Sequence, residues 1–253
     1  MGRRIALGFL GFAVFVALWQ MNLWFGILSD RIAAFPSTLV GFLMARPPLV
    51  EFYHAMLTSA GQLAAGFAIA AVAGIALGLL LGWYRRAGAL FEPLLIAVNA
   101  VPLIALVPLL VVLLGLGLAT ELVVIVLFAF FPIYFAVSSA AAATDPQLVR
   151  MCRSFGGRDV HLVRDIVLPS VLPAMTTGLR LAIGRALTGL VVVELFMGRG
   201  GLGSVILDAT NRGQPNLALL AVVVLCTVNM LAAGSLQLLQ ARIETWRPGR
   251  QAS

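Results

Sequence analysis

Three ionisable residues, Arg180, Arg185 and Glu194, stand inside one long apolar stretch, residues 170–197. An isolated charge at the centre of a bilayer costs at least about 2.5–3.5 kcal/mol, so charges in such a stretch mark a function or a partner. At about 100° per residue Arg180 and Glu194 fall near one helical face, yet at ~1.5 Å per residue they lie about 21 Å apart along the axis. They cannot pair with each other, and Arg185 points to a different side. Each needs a partner on another helix, on another subunit or in a water-filled cavity. Two readings stand: a polar path for a solute, or interhelical pairing and snorkelling.

Other chemistries are excluded by what is missing. All 17 basic residues are arginine, so no phosphate-binding loop of the Walker type and no Schiff-base lysine is available. If ATP drives a process here, a separate polypeptide must hydrolyse it. His54 and His161 fall on opposite sides of the membrane in the topology below and cannot share a metal. Gly198-Arg199-Gly200-Gly201-Leu202-Gly203 imitates a dinucleotide fingerprint, but it follows a membrane span and reads as an outer turn. Cys152 and Cys226 lie in a loop and in a span, so no disulfide is implied. No catalytic residue, metal site or cofactor is expected in this chain.

The elements that must position these residues are membrane helices. Hydrophobic residues make up 61% of the chain and charged ones 11%, with a mean hydropathy of +1.04. That composition predicts an all-α integral membrane protein with about six transmembrane helices, near 5–28, 58–83, 90–114, 119–140, 170–197 and 216–239. The whole chain, 1–253, reads as one integral membrane domain, its core at about 50–240. The apolar run after Arg3-Arg4 continues to Leu28, too long for a secretory signal, and is read as an uncleaved first span. Eleven arginines fall on the side of the N-terminus and four on the other, which puts both terminal tails and the 141–168 segment in the cytoplasm. The net charge of +7 is then a topology signal. Without interleaved aromatics it does not point to nucleic acid.

Within the spans, Ala70, Gly74, Gly78 and Gly82 form a row of small residues at every fourth position, which lets a second helix approach closely. Asn99, Pro102 and Pro108 interrupt the third span. Prolines free carbonyls and kink helices, and a kinked helix either lines a pathway or packs irregularly.

The charged segment 141–168 reads as two short helices joined by Gly156-Gly157. Thr144-Asp145-Pro146 supplies a cap followed by proline at the first helical position. Leu148, Met151, Cys152 and Phe155 recur at helical spacing on one face, with Arg150 and Arg153 on the other. Such a segment is either a solvated connector or a docking element for a soluble protein.

From Gly156 onward the pattern is that of a known family. Gly156, nine residues, then Ile166-Val167-Leu168-Pro169 resembles the cytoplasmic loop signature of binding-protein-dependent ABC importer permeases: Glu-Ala-Ala, three residues, Gly, nine residues, Ile-x-Leu-Pro. Pro173, Gly178-Leu179-Arg180, Val193-Glu194 and Gly201-Leu202-Gly203 resemble the nitrate, sulfonate and taurine branch, as do Phe35-Pro36-Ser37, Asn99-Ala100-Val101-Pro102 and Leu106-Val107-Pro108. One departure is plain: Arg150-Met151-Cys152 stands where the Glu-Ala-Ala element would fall.

The resemblance implies an inner-membrane permease subunit of an ATP-driven importer, working as a homodimer in the bacterial plasma membrane. Its partners would be cytoplasmic ABC ATPase subunits, which carry the ATP and Mg, and an extracytoplasmic solute-binding protein. The coupling element would use Leu148, Arg150, Met151, Cys152, Phe155, Gly156, Ile166, Leu168 and Pro169, the last starting the fifth span rigidly. The translocation pathway would use Asn99, Pro102, Arg180, Arg185 and Glu194. A small solute of the nitrate, sulfonate or taurine type is implied, and the membrane arginines favour an anion. The alternative is a secondary transporter driven by an ion gradient, which predicts an internal repeat and a deep acidic site. No repeat is visible in the sequence, and Glu194 is the one acid that the sequence places deep in a span.

Overall fold

The computed structural model describes residues 2–25, 34–45, 49–198 and 200–244. They form eleven α-helices and, among the described residues, no strand. In chain order these are α1 (Gly2–Trp24), α2 (Pro36–Met44), α3 (Val50–Trp83), α4 (Arg85–Ala100), α5 (Leu103–Leu114), α6 (Leu118–Ala142), α7 (Pro146–Ser154), α8 (Asp159–Leu162), α9 (Leu168–Met197), α10 (Leu202–Asn211) and α11 (Pro215–Glu244). A single π-helical turn, Val163–Val167, joins α8 to α9. Among the described residues, three helices are long and apolar enough to cross a bilayer: α3, α6 and the Pro215–Leu238 part of α11. The number rises to five if α4 with α5, and Asp159–Met197 with α10, each count as one broken span. In α1 the apolar stretch is the shorter Ala13–Asn22. The end of the expected first span, 26–28, lies outside the described residues, as do Arg31, Arg46, Arg199, Arg247 and Arg250.

The third expected span is not one rod. α4 and α5 meet at 93°. Pro102 has no N–H to give the Val98 carbonyl, and its ring forces the preceding Val101 out of helical geometry (φ −70°, ψ 135°). The Val101 N–H reaches the Val98 carbonyl instead, at 3.2 Å, and closes the turn. Gly115, at φ +80°, ends α5, and the Thr120 hydroxyl donates to its carbonyl at 2.6 Å.

The contacts group into two units. One comprises 1–59 with 198–226, the other 60–197 with 227–253. In the first, Phe35 is fully buried and Pro36 opens α2. The Thr38 hydroxyl accepts from the Phe35 N–H at 2.9 Å and donates to Asn216 Oδ1 at 2.8 Å. Ser37 exchanges hydrogen bonds with Gln20 of α1, and the Ser59 hydroxyl of α3 accepts from the Leu202 N–H at 2.8 Å. The Phe35-Pro36-Ser37 motif is therefore a helix cap tied to two other helices.

The second unit is built around α6. Residues of α3 meet α6 at a constant offset: Gly66 with Ile125, Gly74 with Ile133, Gly78 with Val137 and Gly82 with Ala141. Each pair is 59 residues apart, as are Gln62 and Glu121, whose side chains are hydrogen-bonded. A constant offset means that the two helices run parallel. A contact row of period four drifts round a helix of 3.6 residues per turn, so the pair wraps right-handedly, the geometry of small-residue membrane seams. Antiparallel α9 packs on α6 near Gly178, which faces Ala136, and near Gly189, which faces Phe128. The shared core includes Ala70, Ile125, Ile133, Val137, Val171, Ala182, Ala186 and Leu190, all buried.

Candidate functional site

Two places in the second unit gather functional residue types, and α9 reaches both. The first is the 141–168 segment. Asp145 accepts from the Gln147 N–H at 2.7 Å and caps α7 from outside, with Pro146 in the first turn. Leu148, Met151 and Phe155 project on one face and are 46, 59 and 84% exposed. Cys152 is half-buried beneath them. Apolar side chains this exposed on a short, capped, polar helix signal a contact surface. Arg150 is exposed on the other face.

Gly156 takes φ +77°, the left-handed stop that its position predicts, and its N–H bonds the Arg153 carbonyl at 3.0 Å. Gly157 is glycine for a different reason: a Cβ there would collide with the Cys152 sulfur and lie 2.8 Å from its carbonyl oxygen.

The second coupling helix does not stop before the fifth span. α8, the π turn and α9 form one continuous helix, Asp159–Met197. Pro169 therefore stands in the first turn of α9, inside a helix that reaches it unbroken from α8. Its missing N–H and bulky ring would disturb the Asp165 carbonyl in a regular helix. The wider turn, with the Leu168 N–H reaching the Val163 carbonyl five residues back, moves that carbonyl aside. Ile166 and Pro169 are half-buried, Leu168 is 36% exposed, and Val167 between them enters the core.

The second place is a cleft of about 310 Å³ at the α4–α5 break. Asn99, Pro102, Ile104, Phe128, Arg185 and Thr188 are among its lining residues. It brings together three of the five expected pathway residues. Asn99 Oδ1 is buried with no hydrogen-bond partner among the described residues, and an acceptor left so costs about 1–3 kcal/mol. The Arg185 guanidinium supplies donors to the same space, so the cleft offers both signs of polar group to a solute. Arg180 and Glu194 are not among its lining residues. Arg180 is half-buried one to two turns toward the coupling element, and Glu194 is wholly buried.

Sequence reasoning missed Phe128 and Thr188, which reach the cleft only through the packing of α6 on α9. It also missed Glu121, a second buried acid in the first turn of α6, paired with Gln62. Its signal was an acidic residue and a glutamine inside two apolar runs.

A polytopic helical bundle with a broken helix, a polar cleft at the break and an exposed two-helix loop defines the class of membrane-transport permeases. Within that class, residues 70–245 match the family of binding-protein-dependent transport system inner membrane components. The chain belongs to this family, the permeases of ABC importers. An aliphatic sulfonates transport permease, SsuC, of Bacillus subtilis is 29% identical over 93% of this chain and 85% of its own length. Its counterpart in Escherichia coli K12 is 29% identical over 97% and 93%. Among solved structures, a chain of the MetNI methionine ABC transporter in an inward-facing form superposes with a TM-score of 0.63 at 18% identity, over 78% of this chain and 98% of that one.

Proposed function

We propose that this permease carries a small sulfonate-type anion through the Asn99–Arg185 cleft, driven by a separate ATPase docked on α7. The carrying observation is the mechanical continuity between the two places. The exposed face of Leu148, Met151 and Phe155 turns at Gly156 into one helix that extends to Met197 and bears Arg185 on the way. A displacement of α7 is thus passed along a stiff rod to the cleft, with the π turn and the α4–α5 break as the places that yield.

In this reading both termini and the 141–168 loop are cytoplasmic, as the arginine bias predicts. Two copies form the pathway as a homodimer, and an extracytoplasmic binding protein delivers the solute. ATP and Mg bind the partner ATPase, whose closure biases the permease between two access states. The sulfonate relatives and the arginine in the cleft support the anionic cargo. Asn99 would orient the solute and Arg185 would balance its charge. The relatives also support the subunit plan, and Arg150 in place of the usual glutamate calls for an acidic residue in the ATPase groove.

The test is Phe155→Glu in the assembled transporter. Since Phe155 is 84% exposed, the permease folds and reaches the membrane. Copurification of the ATPase and ATP-dependent uptake of an alkanesulfonate are expected to fall at least tenfold. Unchanged copurification would overturn the docking assignment.

A further inference from the structure

Where α3 ends and α4 begins, a second cleft of about 290 Å³ is lined by Trp83, Tyr84, Arg85, Arg86, Arg153 and Asp159. We propose that it binds the phosphate-bearing headgroup of an anionic phospholipid of the cytoplasmic leaflet and so braces the back of α7. The proposal rests on the orientation given above.

Charge comes first. Three guanidinium groups face one carboxylate. Arg153 and Asp159 form a loose pair at 3.7 Å, with both side chains 63% exposed, so an incoming anion can open it. Among the described residues no carboxylate lies within salt-bridge distance of Arg85 or Arg86. The first turn of α4 holds no acidic residue, so the helix end adds its own partial positive charge. The cleft therefore has an uncompensated positive balance that a phosphate would neutralise through forked guanidinium hydrogen bonds.

Position selects a lipid over a free ion. α3 crosses the bilayer and ends at Trp83, and Trp with Tyr followed by paired arginines is the pattern of a helix leaving the acyl region for the headgroups. The aromatic rings would lie against the glycerol and upper acyl carbons, with the arginines around the phosphate. The corner is pre-shaped. A Cβ on Gly88 would come 2.6 Å from the Leu81 carbonyl oxygen, so α4 is held tightly against the end of α3.

The consequence reaches the coupling element. Arg153 stands on the side of α7 away from Leu148, Met151 and Phe155, so a bound headgroup would tie α7 to the α3–α4 corner without covering the docking face. This reading fails separately from the ATPase reading, because its readout is lipid retention by the full-length permease alone.

The experiment reconstitutes the permease in phosphatidylcholine vesicles with and without phosphatidylglycerol, re-extracts it in detergent and quantifies the retained lipid. The wild type is expected to keep phosphatidylglycerol in preference to phosphatidylcholine. Arg85→Gln, Arg86→Gln and Arg153→Gln should each lower that preference about fivefold, whereas Arg212→Gln, just after α10, should not. Arg153→Gln cannot fail for want of folding, because the side chain is largely in water. Equal retention of both lipids by the wild type, or retention unchanged in Arg153→Gln and the paired Arg85→Gln/Arg86→Gln variant, would overturn the proposal. So would loss of the lipid to excess inorganic phosphate, which would mark a free-anion site.

Discussion

Gly82 of α3 lies directly against the backbone of Ser138 in α6: a Cβ at Gly82 would come 2.5 Å from the Ser138 carbonyl oxygen. Backbone cannot yield as a side chain can, so this is the tightest point of a seam that begins at Gly66. Gly82→Ala should cost about 1–3 kcal/mol by overpacking, more than the ~1 kcal/mol alanine returns in helix propensity. Gly61, in the same helix, has nothing within 4 Å of its Cβ, and Gly61→Ala should be neutral or stabilising. Thermal unfolding of the two purified variants in detergent checks this. Equal midpoints would show that the seam is looser than its glycines imply.

Gln62 and Glu121 continue that seam at its far end: the half-buried Gln62 donates through Nε2 to the buried Glu121, and Gln62 Oε1 has no partner among the described residues. Removing one member strands the other in an apolar setting at about 1–3 kcal/mol, whereas replacing both with apolar groups can be nearly neutral. Gln62→Leu and Glu121→Leu should each lower membrane abundance and melting temperature. The double variant should recover most of the loss. A double variant as unstable as the sum of the singles would rule out direct coupling.

Much of this arrangement was legible in the chain. The period-four row announced a close helix neighbour, though not that α6 supplies it. Asp145-Pro146 and Gly156 marked both ends of α7 because caps and left-handed stops are local chemistry. The prolines were harder. Pro102 breaks a span at 93° and Pro169 merely widens a turn, and the difference depends on which carbonyls find substitutes. Arg185 was flagged by its charge alone. Thr188 and Phe128 carry no such signal, since packing between α6 and α9 brings them to the cleft. Glu121 was not singled out, because it stands beside a glycine-rich break where a span begins.

Gly156 offers a test of the turn that is independent of crowding, because nothing lies within 4 Å of its Cβ position while φ is +77°. The left-handed conformation costs ordinary residues about 1–2 kcal/mol and asparagine less. Gly156→Asn should keep most uptake, and Gly156→Val should lose most of it at equal membrane abundance, because the angle between α7 and α8 shifts. Uptake by the valine variant at the wild-type rate would mean that this angle is not transmitted.

Arg185 and Glu194 lie on one helix in opposite environments, the first exposed in the cleft and the second wholly buried. Their alanine variants should separate transport from folding. Arg185→Ala removes a cleft donor without opening a core cavity, so abundance should hold while uptake of an alkanesulfonate falls by at least tenfold. Glu194→Ala leaves a hole in packed helix contacts, at about 2–3 kcal/mol, so abundance should fall and any uptake lost should fall in proportion. Uptake per molecule is the deciding measurement. A normal value in Arg185→Ala would remove the guanidinium from the pathway, and a low value in Glu194→Ala at full abundance would bring the carboxyl into it.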